Sequence, residues 1–265
     1  FGKSLMIYKE PVSEIKNFTE KIGLDCIIMY DMAHVLGLVG LNFQAPFAEG
    51  VEIVTGSTHK TFFGTQRGII GCNWIEPELK YRLWETIESR TFPGSVSNHH
   101  LGTLLGLFAA AYEMNYFKDS YQAMVISNAK AFAEALAAMG LGVAGNKNDG
   151  YTQTHQVILE VGYAKGPGIA KRLEDNNIIT NYQATPSEEG FTASGAIRMG
   201  TAEMTRFGMQ ANDFAVLAEY MSEVIKNNKS VKDKIKKFRT NFLDMKYCFD
   251  RKISETLMEK LYRCI

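Results

Sequence analysis

Apolar positions fall into short runs in the first third of the chain and into helical spacing over much of the rest. Cys26 to Tyr30 (C-I-I-M-Y) and Val51 to Val54 (V-E-I-V) have the length and β-rich content of strands. Gly68 to Trp74 (G-I-I-G-C-N-W) predicts a further buried strand. Val12, Ile15, Phe18 and Ile22 recur at helical intervals behind Pro11, predicting an amphipathic helix over 11–22 with the proline in its first turn. Gly2, Lys3 and Ser4 follow an expected strand end, so strand, helix and strand with short links imply a parallel crossover. Further helices are expected over 76–88, opened by Pro77, and over 101–114, 120–139 and 213–225. Gly140-Leu141-Gly142 breaks the helical pattern, and Val157 to Val161 is strand-like. The chain therefore divides into 1–140, part of a larger domain, and 141–265, a smaller α+β domain. The tail beyond Tyr247 is expected to be a last helix packed on the smaller domain.

Polar residues gather where these strands end. Asp31 closes the first strand and is followed by Met32, Ala33 and His34. The second runs into Gly56, Ser57 and Thr58, small residues that allow a ligand close approach, and then into His59 and Lys60. Ligands of open α/β sheets bind outside the carboxyl ends of strands, which puts Asp31 and Lys60 on one sheet edge. A lysine beyond a buried strand is desolvated, its pKa falls, and its neutral amine can form a Schiff base. An acid for a pyridinium nitrogen and a Schiff-base lysine are what pyridoxal 5'-phosphate (PLP) requires. His59 adjoins that lysine, His34 lies within reach of Asp31 or of the cofactor, and Arg67 suits a phosphate.

Composition narrows the alternatives. With 265 residues there is room for one large domain or one and a half. Basic and acidic residues balance at 29 each, so no electrostatic footprint for nucleic acid exists. The basic stretch from Lys226 to Lys237 is read as a solvated helix face. Cys26, Cys72, Cys248 and Cys264 lack metal or disulfide spacing, which points to a reduced, cytoplasmic setting. His99-His100 has no supporting Cys or His cluster, so no metal is expected. No apolar run has membrane-spanning length, and no signal peptide opens the chain.

D-M-A-H-V-L-G-L-V-G from Asp31, T-G-S-T-H-K-T-F-F-G-T-Q-R-G from Thr55, F-P-G from Phe92 and S-G-A-I-R-M-G-T-A from Ser194 together resemble the serine hydroxymethyltransferases. The resemblance extends to about Tyr220. It implies an α/β, fold-type I PLP-dependent transferase, mostly parallel sheet flanked by helices, acting as a homodimer with its sites at the subunit interface. It assigns Lys60 the Schiff base, Asp31 the ring nitrogen and Arg198 the substrate α-carboxylate, gripped by a fork of donors. Ser4 is placed near the cofactor's phenolic oxygen, and His34, Ser57, Thr58 and Arg67 around the cofactor. Against that family the chain begins mid-protein, and it is read as a fragment lacking the phosphate loop and the groups used in the aldol step.

Three departures matter. Ser97 and Asn98 stand where the family has paired glycines that hold the phosphate of the neighbouring subunit's cofactor, though a hydroxyl and an amide still donate. The stretch from Asn181 to Pro186 keeps only the first asparagine and the proline of a loop that helps hold folate. T-Q-T-H-Q from Thr152, S-N-A-K from Ser127 and S-N-H-H from Ser97 are similar instead to the L-threonine transaldolases, which work without folate. His155 within that first run is read as a buried structural histidine. The expected function is PLP-dependent aldol and retro-aldol chemistry on β-hydroxy-α-amino acids, giving glycine and an aldehyde, with a lean to folate-independent exchange. Tetrahydrofolate-dependent hydroxymethyl transfer and a degenerate scaffold subunit are the alternatives. Aminotransfer on the same fold agrees less well with T-H-K-T and I-R-M-G.

Overall fold

The computed structural model describes residues 1–76, 79–185, 188 and 193–263. In the first sheet, β2 (Ile53–His59) lies between a parallel β1 (Met29–Asp31) and an antiparallel β3 (Phe63–Cys72). Phe1 donates to the Met29 carbonyl and accepts from the Asp31 N–H, both at 2.8 Å. That is the bonding of one more parallel rung on the outer edge of β1. The helix α1 (Val12–Lys21) thus joins two parallel extended segments, as the short links implied.

The helix-and-sheet layout is of the expected α/β kind, with local differences. Only a short link separates β2 from β3, and such a link permits an antiparallel hairpin rather than a crossover. The described sheet accordingly has one parallel and one antiparallel ladder. β3 also begins at Phe63 rather than Gly68, and it is not buried: Ile69 and Ile70 are 38% and 41% exposed. In α1 only Val12 of the four apolar positions is buried, while Phe18 and Ile22 face out.

Leu101–Ala138 forms a single helix, α3, where two were expected. Residues 115–119 contain neither glycine nor proline, so nothing there stops the helix. α3 is shared by two cores. Met114, Tyr121 and Val125 pack with Met6, Tyr30, Leu38 and Val54, whereas Ala129, Phe132 and Leu136 pack with Val157, Leu159, Ile197 and Phe214. The changeover falls inside α3, upstream of the boundary at 140. Gly140, at φ +72°, follows the helix end in the left-handed conformation that such a stop favours.

The second core is covered by an antiparallel sheet of order β4 (Gln156–Glu160), β6 (Ala196–Gly200), β5 (Asn181–Gln183). α4 (Gly166–Asp175) and α6 (Ala211–Asn227) pack on it, with α5 (Ala202–Arg206) following β6. α2 (Tyr81–Ser89) lies in the first region and α7 (Lys232–Arg239) near the end; Pro77, Pro186 and Cys264 are outside the described residues. The tail does form a helix, α8 (Arg251–Tyr262), but its Ile253, Leu257 and Met258 are half exposed. Packing occurs instead just ahead of it, where Tyr247 meets Tyr121 and Phe249 meets Tyr116 and Phe117 of α3.

Candidate active site

The parallel β1–β2 ladder sets Asp31 opposite Thr55, so both strands end at one edge. The Asp31 Oδ1 accepts from the Thr55 hydroxyl and from the Ala33 N–H, each at 3.1 Å. At the end of β2, Lys60 Nζ donates to Ser57 Oγ at 3.0 Å. Thr55 and Ser57 point to the same face of β2, about 7 Å apart along the strand. Acid and amine are therefore fastened to neighbouring same-face positions, a spacing on the scale of a pyridine ring with a bond at each end. The donor set and its arrangement fit PLP.

The turn after β1 is stitched to the residue after the lysine. Thr61 Oγ1 donates to the His34 carbonyl and accepts from the Gly37 N–H, both at 3.0 Å. The His34 pKa is pushed down to about 4, first by burial and then by the charges of Lys60 and Arg198, with Asp31 opposing. Its imidazole is thus neutral at neutral pH and stands among all three charged groups.

Arg198 occupies the middle strand of the second sheet, paired with Ile158 on one side and Asn181 on the other. Its neighbour Ile197 is buried in the core, the alternation expected of a strand. Arg198 Nη1 donates to the Ser4 carbonyl at 3.1 Å, and Gln156 Nε2 donates to the same oxygen at 3.1 Å. A cavity of about 630 Å³ is lined by His34, His59, Lys60, His155, Arg198 and Arg206 among others. Asp31 is exposed and does not line it, but its charge reaches His34.

Several expected site residues are engaged elsewhere in this chain. Thr58 is buried on the opposite face of β2, donating to the Thr65 and Arg67 carbonyls at 2.7 and 3.0 Å, so it ties the hairpin. Arg67 donates to the His100 carbonyl at 2.6 Å and to Thr103 Oγ1 at 2.7 Å, bracing the start of α3 beside a separate cavity. Ser97 and Asn98 are exposed in the loop before α3 and do not line the Lys60 cavity. Ser4 presents its carbonyl, not its hydroxyl, to Arg198. His59 closes β2 and Lys60 begins the turn beyond it, and both are exposed; the burial expected for the lysine is not supplied by the described residues.

Three residues went unread in the sequence. Thr55 holds Asp31, and Gln156 holds the segment carrying Ser4, its Oε1 accepting from the Met6 N–H at 2.8 Å. Arg206 of α5 donates to the Phe63 carbonyl at 3.0 Å and to Glu113 of α3 at 2.9 Å, and lies 3.8 Å over the Phe63 ring. Thr55 carried a signal, being the same-face neighbour of Ser57; long-range partners such as Glu113 and Phe63 leave none.

The family model for serine hydroxymethyltransferase matches residues 8–221. The chain belongs to the serine hydroxymethyltransferase family. Relatives called serine hydroxymethyltransferase include that of Archaeoglobus fulgidus, 43% identical over 94% of this chain and 56% of its own length. That of Nitrosopumilus maritimus is 39% identical over 96% of this chain and 57% of its own. Among solved structures, an L-threonine transaldolase from Pseudomonas fluorescens in its internal aldimine state superposes with a TM-score of 0.84 at 32% identity, covering 98% of this chain and 59% of that one. The chain thus spans a little over half the length of these relatives. This member of the serine hydroxymethyltransferase family has the fold-type I layout, and none of its described helices is long and apolar enough to cross a membrane.

Proposed function

We propose that the protein carrying this chain uses PLP to break and form the Cα–Cβ bond of β-hydroxy-α-amino acids, yielding glycine and an aldehyde that is exchanged without folate. The observation that carries this reading is the fastening of Asp31 and Lys60 to Thr55 and Ser57 on one face of β2, with Arg198 and Lys60 lining one cavity. Bound PLP supplies an electron sink for the bond at Cα. Asp31, an acid oriented by Thr55, keeps a proton on the ring nitrogen. Lys60 would hold the cofactor through its amine and would move a proton at Cα of the substrate. Arg198 grips the α-carboxylate and thereby turns the Cα–Cβ bond toward the reacting orientation. His34 and His59 flank the amine, the former as a neutral hydrogen-bonding group. Ser97 and Asn98, exposed here, would serve the cofactor of a second subunit in a homodimer.

The lean to folate-free exchange rests on Ser97, Asn98 and the altered 181–186 loop, together with the likeness to the transaldolase. The names of the archaeal relatives favour tetrahydrofolate-dependent hydroxymethyl transfer as the second reading. Full-length protein loaded with PLP should be given threonine or serine and a second aldehyde, with and without tetrahydrofolate. Folate-free formation of a new β-hydroxy amino acid supports the proposal. Turnover that requires tetrahydrofolate selects the second reading, and absence of both activities in loaded protein contradicts the two together.

A further inference from the structure

His155 immediately precedes β4, and the Thr201 N–H fixes its carbonyl at 3.0 Å. Its side chain is only 8% exposed, on a cavity wall that also carries His34 and Arg198. Nδ1 is sealed from the surface without a hydrogen-bond partner among the described residues. The Cδ2–Nε2 edge passes over Gly200, whose lack of a side chain makes room for it: a Cβ there would stand 3.1 Å from Cδ2.

Burial, followed by the charges of His34 and then Arg198, pushes the His155 pKa down to about 3, so the ring is neutral and has one donor and one acceptor. A buried N–H without a partner is rarer than a buried acceptor without one, which puts the proton on Nε2 and the lone pair on sealed Nδ1. Buried polar side chains are normally paired. A phenyl ring would fill this space without leaving a buried nitrogen unmatched, so the imidazole suits a group that the described residues do not provide. Arg198 on the same wall selects an anion as that group.

We propose that His155 is a second carboxylate-binding residue of the site, its Nε2–H donating to an oxygen of the α-carboxylate that Arg198 holds. This rests on the reading of the substrate as an α-amino acid. A neutral donor adds a contact to the carboxylate without adding another cation beside Arg198, Lys60 and Arg206. It therefore favours free amino acids over their amides.

The test uses full-length protein loaded with PLP, and glycine and glycinamide as probes, with binding followed by calorimetry and by cofactor absorbance. His155→Phe is expected to weaken glycine about ten-fold, as loss of one good hydrogen bond does, and to leave glycinamide and the affinity for PLP unchanged. His155→Gln, which returns an N–H near the Nε2 position, is expected to recover most of the loss. In wild-type protein the ¹⁵N resonance of His155 Nε2 should shift on glycine addition, which decides the matter even if the phenylalanine variant fails to fold. Equal glycine affinity in folded wild type and His155→Phe, or an unmoved Nε2 resonance under saturating glycine, overturns the assignment. Wild-type protein that binds neither PLP nor glycine overturns the proposed function itself.

Discussion

The Thr55 hydroxyl donates to the Asp31 carboxylate at 3.1 Å across the parallel β1–β2 ladder. Two residues on, the Ser57 hydroxyl accepts from the Lys60 amine at 3.0 Å. One face of one strand thus fixes, through two separate hydroxyls, the acid and the base that the proposed chemistry needs.

Thr55→Val keeps the β-branched shape and removes the donor to Asp31. Loss of one hydrogen bond of about 1 kcal/mol should weaken PLP about five-fold. Lys60, held by Ser57, should still attach to the cofactor. Titration of the apo protein with PLP measures this, and an unchanged affinity would show that Thr55 does not orient Asp31.

Gly37 couples the turn after Asp31 to the residue after Lys60. A Cβ there would fall 2.2 Å from the backbone of Thr61, a clash with main chain that no side-chain rotation relieves. Gly37→Ala should cost about 1–3 kcal/mol of stability, the range for overpacking, and should weaken PLP more than Thr55→Val does. Denaturant unfolding and PLP titration of the same variant check both parts.

Arg206 and Glu113 are 16% and 14% exposed and form an ion pair between α5 and α3. Arg206→Leu would leave the mostly buried Glu113 without its cation, keeping only the Phe249 N–H, and would free the Phe63 carbonyl next to the lysine hairpin. The expected cost is about 3 kcal/mol, the lower part of the range for breaking a buried pair. Arg206→Leu with Glu113→Leu should recover part of that, and a double-mutant cycle in urea measures the coupling.

His34 and His155 have folded pKa values pushed down to about 4 and about 3 from an ordinary 6.5. Between those values the unfolded chain takes up protons that the folded chain refuses, so stability falls as pH drops below about 6.5. The decline from His34 should level near pH 4, and that from His155 near pH 3. Urea midpoints across this range should fall less steeply for His34→Phe than for wild type. Parallel curves would contradict the neutral assignment.

The arrangement of the candidate site was largely legible because its parts are local: Asp31 and His34 follow one strand, Ser57 and Lys60 end another, and the apolar runs show where each strand stops. Arg198 was legible from its motif. What escaped depends on pairing over long distances. Nothing in G-I-I-G-C-N-W says that one face of β3 is open, and nothing near Arg67 announces that the start of α3 will take its guanidinium. Thr58 was assigned to the ligand because it is small and adjacent to the motif, but the two-residue period of a strand turns it to the other face from Ser57. The length of α3 was misjudged because residues 115–119 are mediocre helix formers that packing on both sides holds in the helix.

The claim on which the rest depends is that Lys60 carries the cofactor opposite Asp31. Borohydride treatment of the full-length protein saturated with PLP, followed by proteolysis and mass spectrometry, locates the attachment directly. The account predicts a phosphopyridoxyl group on Lys60, absent from Lys60→Ala. A label confined to other lysines, or equal labelling of the variant, would contradict it.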